Sequence, residues 1–291
     1  QPINKIVIKD YINSSPLLFI NKDSPMGSVI FNKELHKILI KKLKTLKALK
    51  TNTNLDLRNI TPNKLIKIRN RNYKFKKIIV SIGKSINMSS GQKSIIFNKN
   101  HHSYVGFFNH ENDHKNIAYE IFKKEGPLAV LPSPSKDRRK STFIFSTNKH
   151  ISYLDLQLLI KKNFNNSHGQ LKFDKLINKF PITPHLKKYD KNYIYIGDTL
   201  RSIHPVAGQG WNLGVKDIQT LCKLIEQYPL ESKIFNSIYY SRRAVESVLY
   251  LGFTSLVNYL YENQNTVNKN VLNIGFRTFR NFRLLRDLFI K

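Results

Sequence analysis

The sequence has 291 residues and carries 49 Lys and Arg against 19 Asp and Glu, a formal net charge of +30 at pH 7. Its hydrophobic content of 41% and aromatic content of 11% argue against a disordered chain. The single cysteine, Cys222, excludes an internal disulfide and a multi-cysteine metal site, and it favours a reducing compartment. No apolar stretch reaches the ~20 residues of a membrane span, and no signal-peptide pattern is found.

The excess of positive charge has three interpretations. Lysines are spread through every segment, and Lys, Asn and Ile are abundant together, as an A/T-rich coding sequence would produce. A nucleic-acid-binding protein would show a clustered basic patch, a zinc-finger spacing or an aromatic RNA-binding signature, and the sequence has none of these. Attraction to anionic lipid headgroups is the third interpretation. We interpret the charge mainly as compositional background, with lipid attraction ranked second and nucleic acid third.

The N-terminal part of the sequence is typical of short strands around one helix. Three apolar runs have the composition of strands: Lys5–Ile8, Leu17–Ile20 and Ser28–Phe31. Asn32 is expected to cap a helix whose lysines form the solvated face. The apolar positions of that helix are Leu35, Ile38, Leu39 and Leu43. Short alternating segments from Asn54 to Val80 suggest further antiparallel strands.

The middle of the sequence contains two further strand candidates and several histidines. Phe143–Phe145 and Leu171–Phe173 have strand composition. His110 and His114 have the i, i+4 spacing of metal ligands on a helix. Their Asn- and Asp-rich surroundings, without a third ligand, favour a loop instead. We interpret His101-His102 in the same way.

The stretch Tyr193–Asp198 begins as a β-branched and aromatic run, which predicts a buried strand that ends at an acidic residue. Pro205 and a Gly208-Gln209-Gly210 turn follow, and they lead directly into an amphipathic helix. The apolar positions of this helix fall at helical spacing: Val215, Ile218, Cys222 and Ile225. This order of elements is how α/β proteins place a ligand against the start of a helix.

Each of these residue types has a physical role in such a site. Asp198 stands at the carboxyl end of a strand, where ligands gather in open α/β sheets, and its carboxylate can accept hydrogen bonds from hydroxyl groups. Gly208 and Gly210 have no Cβ, so the backbone can approach a flat ring closely. The helix that starts near Trp211 presents free N–H groups and a positive dipole end to negative charge. An ordinary strand–loop–helix connection is the alternative.

The same stretch resembles a known motif. Gly197-Asp198, the run His204–Gly214 and Asp217 are similar to the second FAD-binding motif of the aromatic-ring flavoprotein monooxygenases. The resemblance implies these cofactor-binding residues: Asp198, Pro205, Gly208, Gln209, Gly210, Trp211 and Asn212. Asp198 would bind the ribityl chain, Pro205 would face the flavin ring, and the backbone of 208–212 would stabilise the negative reduced ring. The resemblance nominates no catalytic acid or base and no metal.

A second stretch is similar to the ubiquinone-biosynthesis hydroxylase branch of that family. It consists of His114, Ala118–Phe122 and Gly126–Pro132. Together the two stretches imply hydroxylation of a polyprenylated phenol or quinone precursor with O2, FAD as cofactor and NAD(P)H as reductant. The implied partners are that substrate, an anionic membrane surface and other quinone-biosynthesis proteins. The implied location is cytoplasmic, peripheral on the inner membrane face.

The resemblance also implies the fold class. We expect an α/β protein with a partial FAD-binding domain of the glutathione-reductase type, a mixed-sheet substrate domain and C-terminal helices. The FAD-binding portions would be residues 1–90 and 185–230, the substrate-domain sheet 91–184 and the C-terminal helices 231–291. The sequence starts at Gln1 rather than Met and lacks the ADP-binding strand, turn and helix, so we expect a fragment or a processed form.

The sequence departs from the family pattern at three places. No Gly-x-Gly-x-x-Gly turn, which holds the ADP half of FAD in the family, occurs in the sequence. Ile82 stands before Gly83 where the family has an aspartate. Thr199, Leu200 and Arg201 replace an Ala-Ala-His run. The missing turn and Ile82 favour an alternative, a non-catalytic relative that acts as a partner in a quinone-biosynthesis assembly. A basic nucleic-acid-binding protein is the further alternative.

The C-terminal part is predicted to be helical. Phe235–Tyr261 has the pattern of one long helix rich in aromatic residues. In Val271–Lys291, apolar residues alternate with arginines. We favour a terminal helix that packs on the protein. The alternative is an interfacial helix whose arginines contact anionic lipid.

Overall fold

The computed structural model describes residues 1–12, 15–21, 23–46, 49, 65–68, 71–83, 94–96, 101–204, 208–263 and 265–281. Its contacts group the chain into two compact units. The first comprises Gln1–Thr45, Asn100–Ile182 and Leu256–Lys291, and the second comprises Leu46–Lys99 and Thr183–Ser255. The predicted assignment of segments to FAD-binding, substrate and C-terminal domains is a functional one and stays a prediction.

The regular elements follow in chain order. The strands are β1 (Pro2–Ile3), β2 (Lys5–Asp10), β3 (Leu17–Ile20), β4 (Gly27–Ser28), β5 (Leu65–Ile68), β6 (Arg71–Lys74), β7 (Ile78–Val80), β8 (Ser94–Ile96), β9 (His101–His110), β10 (Ile117–Phe122), β11 (Leu128–Pro132), β12 (Lys140–Thr147), β13 (Leu171–Phe173), β14 (Asn178–Ile182), β15 (His185–Lys187), β16 (Tyr193–Tyr195) and β17 (Arg201–Ser202). The helices are α1 (Asn32–Lys44), α2 (Tyr153–His168), α3 (Gly210–Gln227), α4 (Phe235–Glu262) and α5 (Thr266–Asn281). A short 3-10 turn covers Gly197–Thr199.

The first unit is built on an eight-stranded mixed sheet. Its strand order is β13-β9-β12-β11-β10-β2-β3, and β14 also pairs with β9. The pairing of β2 with β10 is parallel, and the other pairings in this sheet are antiparallel. The predicted α/β class with a mixed sheet is therefore confirmed.

Helix α2 covers one face of this sheet. Because side chains alternate along a strand, every second residue of the central strands faces the helix. The core formed there consists of Tyr104, Phe108, Ile121, Leu128, Val130, Phe143, Phe145, Leu156, Ile160, Phe164 and Leu171. The Ser152 hydroxyl caps α2 by accepting a hydrogen bond from the Asp155 N–H at 3.1 Å. Gly169, with φ of +75°, ends it.

The opposite face of the sheet packs against the end of α4. The ring of Tyr261 stacks on that of Phe122 with centroids 4.8 Å apart. The Tyr261 hydroxyl donates a hydrogen bond to the Asp10 carboxylate at 3.0 Å. Leu260 and Leu272 belong to the same buried cluster, so α5 is attached at this place as well.

The second unit contains a parallel pair, β7 and β16, and a three-stranded antiparallel sheet in the order β17-β15-β8. Strands β5 and β6 form an antiparallel pair. Helices α3 and α4 pack on the parallel pair. The buried residues of this packing include Ile78, Val80, Ile194, Leu221, Leu224, Phe235 and Tyr239.

Most of the predicted elements are found. The first two predicted strands pair with each other as β2 and β3. The strands predicted at Phe143–Phe145 and Leu171–Phe173 and the long helix from Phe235 are confirmed as β12, β13 and α4. The Ser28–Phe31 strand was wrong, because only Gly27–Ser28 pairs with another strand. In the Asn54–Val80 stretch, β5 and β6 are antiparallel as predicted, β7 is parallel to β16, and the first part lies outside the described residues.

Helix α1 forms where predicted, but its cap and its packing differ from the expectation. Phe31 is the N-cap and no side chain caps the helix, so Asn32 is the first helical residue rather than the cap. None of the α1 residues is buried, and Ile38 is 66% exposed. At the other end of the chain, α5 ends at Asn281, and residues 282–291 lie outside the described part. Within the described residues, no helix is long and apolar enough to cross a membrane.

Candidate functional site

The ends of β7 and β16 lie side by side. The two strands are parallel, with Tyr193 opposite Ile78 and Tyr195 opposite Val80. Their carboxyl ends therefore meet at one edge, which is where ligands bind in open α/β sheets. Gly83 follows the first strand, and the Gly197–Thr199 turn follows the second.

Thr199 joins the two strand ends. Its hydroxyl accepts a hydrogen bond from the backbone N–H of Ile82 at 2.8 Å. The same hydroxyl donates one to the carbonyl oxygen of Gly83 at 3.2 Å. Thr199 is buried, whereas the Ile82 side chain is 39% exposed. Two residues that depart from the family pattern are thus bonded to each other.

Asp198 lies in the turn that follows β16. The preceding Gly197 has φ of +59°, a left-handed conformation that glycine adopts without strain. A Cβ added at Gly214 would lie 3.5 Å from the Gly197 Cα, so α3 packs directly on this turn. The Asp198 side chain is half-buried, and no hydrogen bond from the described residues reaches its carboxylate. A carboxylate with free lone pairs therefore stands at the strand end.

Helix α3 begins with an open N-terminus. Gly208 has φ of +61°, and no atom lies within 4 Å of a Cβ built at Gly208 or Gly210. Gln209 is the N-cap, yet no side chain caps the helix and no acidic residue occupies its first turn. The Asn212 amide donates instead to the Gln209 side-chain oxygen at 3.2 Å, and Trp211 is 51% exposed. The positive end of the α3 dipole is therefore available to negative charge.

The buried carboxylate of Asp217 links the turn after β16 to helix α3. Asp217 is fully buried and accepts a hydrogen bond from the Gly197 N–H at 2.9 Å. It also accepts from Arg201 Nη2 at 2.8 Å and from Arg243 Nε at 2.7 Å. Arg201 donates to the Leu213 carbonyl oxygen at 3.1 Å as well. One carboxylate thus connects the turn, β17, α3 and α4.

The network continues toward the surface through Glu246. Its carboxylate accepts hydrogen bonds from Arg243 and, at 2.6 Å, from Lys216 Nζ. Burial acts to raise the pKa of Glu246, but these two donors hold that pKa below its ordinary value. Burial likewise acts to lower the pKa of Arg243, and the hydrogen bonds and charges of Asp217 and Glu246 raise it. Both groups are therefore charged at neutral pH.

Three side chains of α4 support the strand that leads to Asp198. The Tyr239 hydroxyl donates to the Tyr195 carbonyl oxygen at 2.9 Å, and the Tyr240 hydroxyl donates to that of Tyr193 at 3.0 Å. The Asn236 amide donates to the Asp190 carbonyl oxygen at 2.9 Å. Burial raises the pKa of both tyrosines, so they stay neutral donors. The position of β16 is thus fixed by α4.

The structure places the predicted cofactor-binding residues as follows. Asp198 lies at the strand end, and the 208–212 segment forms the turn before α3 and the first helical residues. Pro205 lies outside the described residues. The roles of these residues toward a flavin stay predictions.

The predicted apolar face of α3 was wrong. The buried residues of the helix are Leu213, Asp217, Leu221 and Leu224. Ile218 and Ile225 are 47% and 45% exposed, and Cys222 is exposed. A helical hydrophobicity pattern predicts that Asp217, as a polar residue, faces solvent. In the structure it faces the interior, because it pairs with the buried guanidinium groups of Arg201 and Arg243. Arg201 and Arg243 come from β17 and α4, so no local sequence signal indicated this pairing.

Of the four histidines predicted to lie in a loop, only His114 does, between β9 and β10. His101 and His102 begin β9 and His110 ends it. His110 and His114 are buried together with His168, and the ring centroids of His110 and His168 are 4.7 Å apart. Burial lowers the pKa of all three, that of His168 to about 4. Over the described ranges, no group of three or more His, Cys, Asp or Glu could hold a metal.

Glu120 lies in β10, within the Ala118–Phe122 segment that resembles the ubiquinone-biosynthesis hydroxylases. It pairs with Ala129 on one side and Ile8 on the other. Because its neighbours Tyr119 and Ile121 pack toward α2, Glu120 lies on the opposite face of the sheet. Burial raises the pKa of Glu120 to about 8. The carboxyl is therefore mostly protonated at neutral pH, which the sequence motif did not indicate.

Comparison with known proteins adds an independent line of support. No family model matches the chain. The chain is 24% identical over 226 residues to the mitochondrial ubiquinone biosynthesis monooxygenase of Schizosaccharomyces pombe. The aligned region covers 60% of this chain and 47% of that protein. By sequence, this chain is similar to ubiquinone-biosynthesis hydroxylases. It is also 22% identical over 196 residues to a ubiquinone hydroxylase of Rhodospirillum rubrum, across 62% of this chain and 45% of that one. It thus spans less than half the length of these relatives.

Solved structures agree on the fold. The p-nitrophenol 4-monooxygenase of Pseudomonas putida matches with a TM-score of 0.70 at 11% identity, covering 99% of this chain and 80% of that one. A flavin-dependent brominase matches with a TM-score of 0.63 at 10% identity, covering 96% and 76%. At such identities the likeness concerns the fold alone, which is the fold of flavin-dependent monooxygenases and halogenases.

Proposed function

We propose that this chain is part of an FAD-dependent monooxygenase that hydroxylates a polyprenylated phenol or quinone precursor in ubiquinone biosynthesis. The observation that carries the proposal is the geometry at the end of β16. There the free carboxylate of Asp198 stands in a turn on which the open α3 helix packs directly. The names of the relatives and the flavoprotein fold support the same function.

The residues of this site fit a flavin. Asp198 would accept hydrogen bonds from the ribityl hydroxyls, because no hydrogen bond from the described residues uses its oxygens. Gly208 and Gly210 leave room for a ring, since a side chain would begin where no atom now lies. Pro205 would face that ring, and the N–H groups at the start of α3 would stabilise its negative reduced form. The bound flavin supplies the oxygen transfer, with O2 and NAD(P)H as co-substrates.

The protein's own part in this chemistry would be positioning. Asp217 bonds to the Gly197 N–H and to two arginines, so α3 cannot move away from the turn without separating buried charges. Tyr239 and Tyr240 hold the strand on the other side. The carboxylate of Asp198 and the helix N-terminus are therefore kept in fixed relation, as preorganised binding of a developing negative charge requires.

A second function is favoured by one feature of the site. Ile82 occupies the position of an aspartate in the family pattern, and its backbone is bonded to Thr199. A protein that keeps the flavoprotein fold but lacks that carboxylate would act as a non-catalytic partner in a quinone-biosynthesis assembly. Such a protein would keep the fold but would not hold FAD alone.

We also propose that the chain binds an anionic membrane surface. It would do so on the inner face of the membrane, where it would meet a polyprenylated substrate. Val245, Leu249 and Leu256 lie on one face of α4 and are 68%, 65% and 54% exposed. An exposed apolar stripe combined with a net charge of +30 is typical of interfacial binding. Pelleting with phosphatidylglycerol vesicles and not with phosphatidylcholine vesicles is the expected result. Equal pelleting with both would contradict this proposal.

The test of the flavin site is the absorbance spectrum of the protein after FAD is added and the sample desalted. The spectrum is measured for this chain and for the full product of the gene that encodes it. Asp198→Ala should weaken flavin binding by about tenfold or more, the loss expected for hydrogen bonds to a charged group. Asp23→Ala, at an exposed carboxylate in the first unit, should retain the flavin bands.

Turnover separates the two functions. NAD(P)H oxidation and hydroxylated product with a short-tailed quinone precursor would support the hydroxylase. Bound flavin without turnover would contradict the hydroxylase proposal. If neither form of the protein retains flavin, the hydroxylase proposal is refuted and the non-catalytic partner takes its place.

A further inference from the structure

A cavity of about 460 Å³ lies in the second unit. It is lined by β8, by β15 with the two residues that follow it, by Leu200 and by one face of α4. Its volume is in the range of small-molecule sites. None of the described residues proposed to bind flavin lines it. Arg243, which holds Asp217 in the network behind the flavin site, does line it, so the cavity adjoins that network but not the proposed flavin contacts.

Two cationic side chains in the lining are buried with unused donors. Lys187 is 4% exposed, and its Nζ has no hydrogen-bond partner among the described residues. The ammonium lies 5.0 Å from the centroid of the Tyr195 ring. Arg243 is 5% exposed and uses Nε and Nη1 on Asp217 and Glu246, which leaves Nη2 without an acceptor in the described part of the chain.

The acidic groups near these cations are already engaged. Asp190 accepts hydrogen bonds from the Asn192 N–H at 2.8 Å and from the Tyr195 hydroxyl at 3.0 Å. Burial lowers the pKa of Lys187, and the charge of Asp190 opposes that shift without an ion pair between them. A buried cation without a partner is costly, and an anion in the cavity would offset that cost.

The remaining lining indicates what kind of anion fits. The exposed Lys188 supplies a third cation, and none of the described residues that line the cavity is acidic. Ser237 and Ser241 add hydroxyls one turn apart on α4. The apolar part of the lining consists of Ile95, Leu186, Leu200 and Ala244. Ammonium and guanidinium groups both pair well with phosphate oxygens. The apolar part suits a hydrocarbon body.

We propose that this cavity binds an organic phosphate with an apolar body. The phosphate or diphosphate group contacts Lys187, Lys188 and Arg243, and the body lies against Leu186, Leu200 and α4. The site is separate from the proposed flavin site and does not depend on the proposed hydroxylation.

The experiment is calorimetric titration of the full chain with two soluble probes, dodecyl phosphate below its micelle concentration and inorganic pyrophosphate. Lys187→Met removes the buried ammonium and keeps the length of the side chain, so the variant should be at least as stable as the wild type. It should lose about tenfold or more in affinity, as expected for a lost hydrogen bond between charged groups. Lys191→Met, at an exposed lysine outside the lining, should bind like the wild type.

Vesicles that contain phosphatidic acid distinguish the source of the phosphate. Binding of the soluble probes with an affinity that Lys187→Met lowers would identify a free organic phosphate as the ligand. Vesicle binding that the same variant weakens, without binding of the soluble probes, would identify a lipid headgroup. Equal affinities of Lys187→Met and wild type, equal losses in both lysine variants, or displacement of the probe by FAD would overturn the proposal.

Discussion

Replacing Asp217 with Asn should remove a large part of the chain's stability. The change keeps the size of the side chain but removes the negative charge shared by Arg201 and Arg243, whose side chains are 1% and 6% exposed. Removing one partner of a buried ion pair typically costs about 3–5 kcal/mol. Asn can still accept hydrogen bonds, so we expect a loss of about 3 kcal/mol, against a total of about 5–15 kcal/mol for a folded domain.

Urea unfolding followed by circular dichroism measures this difference. Glu226→Gln is the matched control, because Glu226 is an exposed carboxylate of the same helix, and its cost should stay within about 0.5 kcal/mol. Adding Arg201→Met to Asp217→Asn removes one of the stranded charges, so the two changes should couple by about 2 kcal/mol. A loss for Asp217→Asn no larger than that of the control would refute the role given to the network.

Two titratable groups with shifted pKa values, Glu120 and His168, predict opposite dependences of stability on pH. Glu120→Gln should stabilise the protein by about 4 kcal/mol near pH 8 and by only about 1 kcal/mol near pH 5. The reason is that burial raises the pKa of Glu120 from 4.5 to about 8, so the native state retains a proton that the unfolded chain releases over that range. Urea unfolding at both pH values checks this, and the exposed Glu125→Gln should show no such trend. His168→Phe should reduce the loss of stability on acidification from about pH 7 to pH 5 by about 2 kcal/mol. Here burial lowers the pKa from 6.5 to about 4, so the unfolded chain binds a proton that the native state excludes. An unchanged slope, with His150→Gln as the exposed control, would contradict it.

Local periodicity was enough to predict many elements of the fold. The alternation in β2 and β3 and the length of α4 are properties of single segments, and they were predicted correctly. Partners from distant segments could not be predicted in the same way. Strand β2 pairs in parallel with β10, far along the chain, and nothing in either segment specifies that pairing. The pattern of α1 likewise shows an amphipathic helix but does not say whether another element covers its apolar side.

The candidate site shows the same limit. Consecutive residues form the strand, the Gly197-Asp198 turn and the helix that starts at Gly210. The sequence pattern therefore predicted these elements. The inward orientation of Asp217 depends on Arg201 and Arg243, which come from β17 and α4. The third buried histidine, His168, also comes from a separate element, the end of α2. Charge pairs and clusters of this kind arise only from tertiary packing, and single-sequence patterns do not contain them.

The hydrogen bonds of Thr199 explain how the site keeps its form despite two departures from the family pattern. An alanine at position 199 could neither accept from the Ile82 N–H nor donate to the Gly83 carbonyl oxygen, and the threonine does both. The hydroxyl thus fixes the backbone after β7 relative to the turn after β16. It does not restore the carboxylate that Ile82 lacks, because its two hydrogen bonds are both to backbone atoms. The strand ends therefore stay joined without a carboxylate at position 82, and we expect binding of a polar ligand at this edge to depend chiefly on Asp198 and the start of α3.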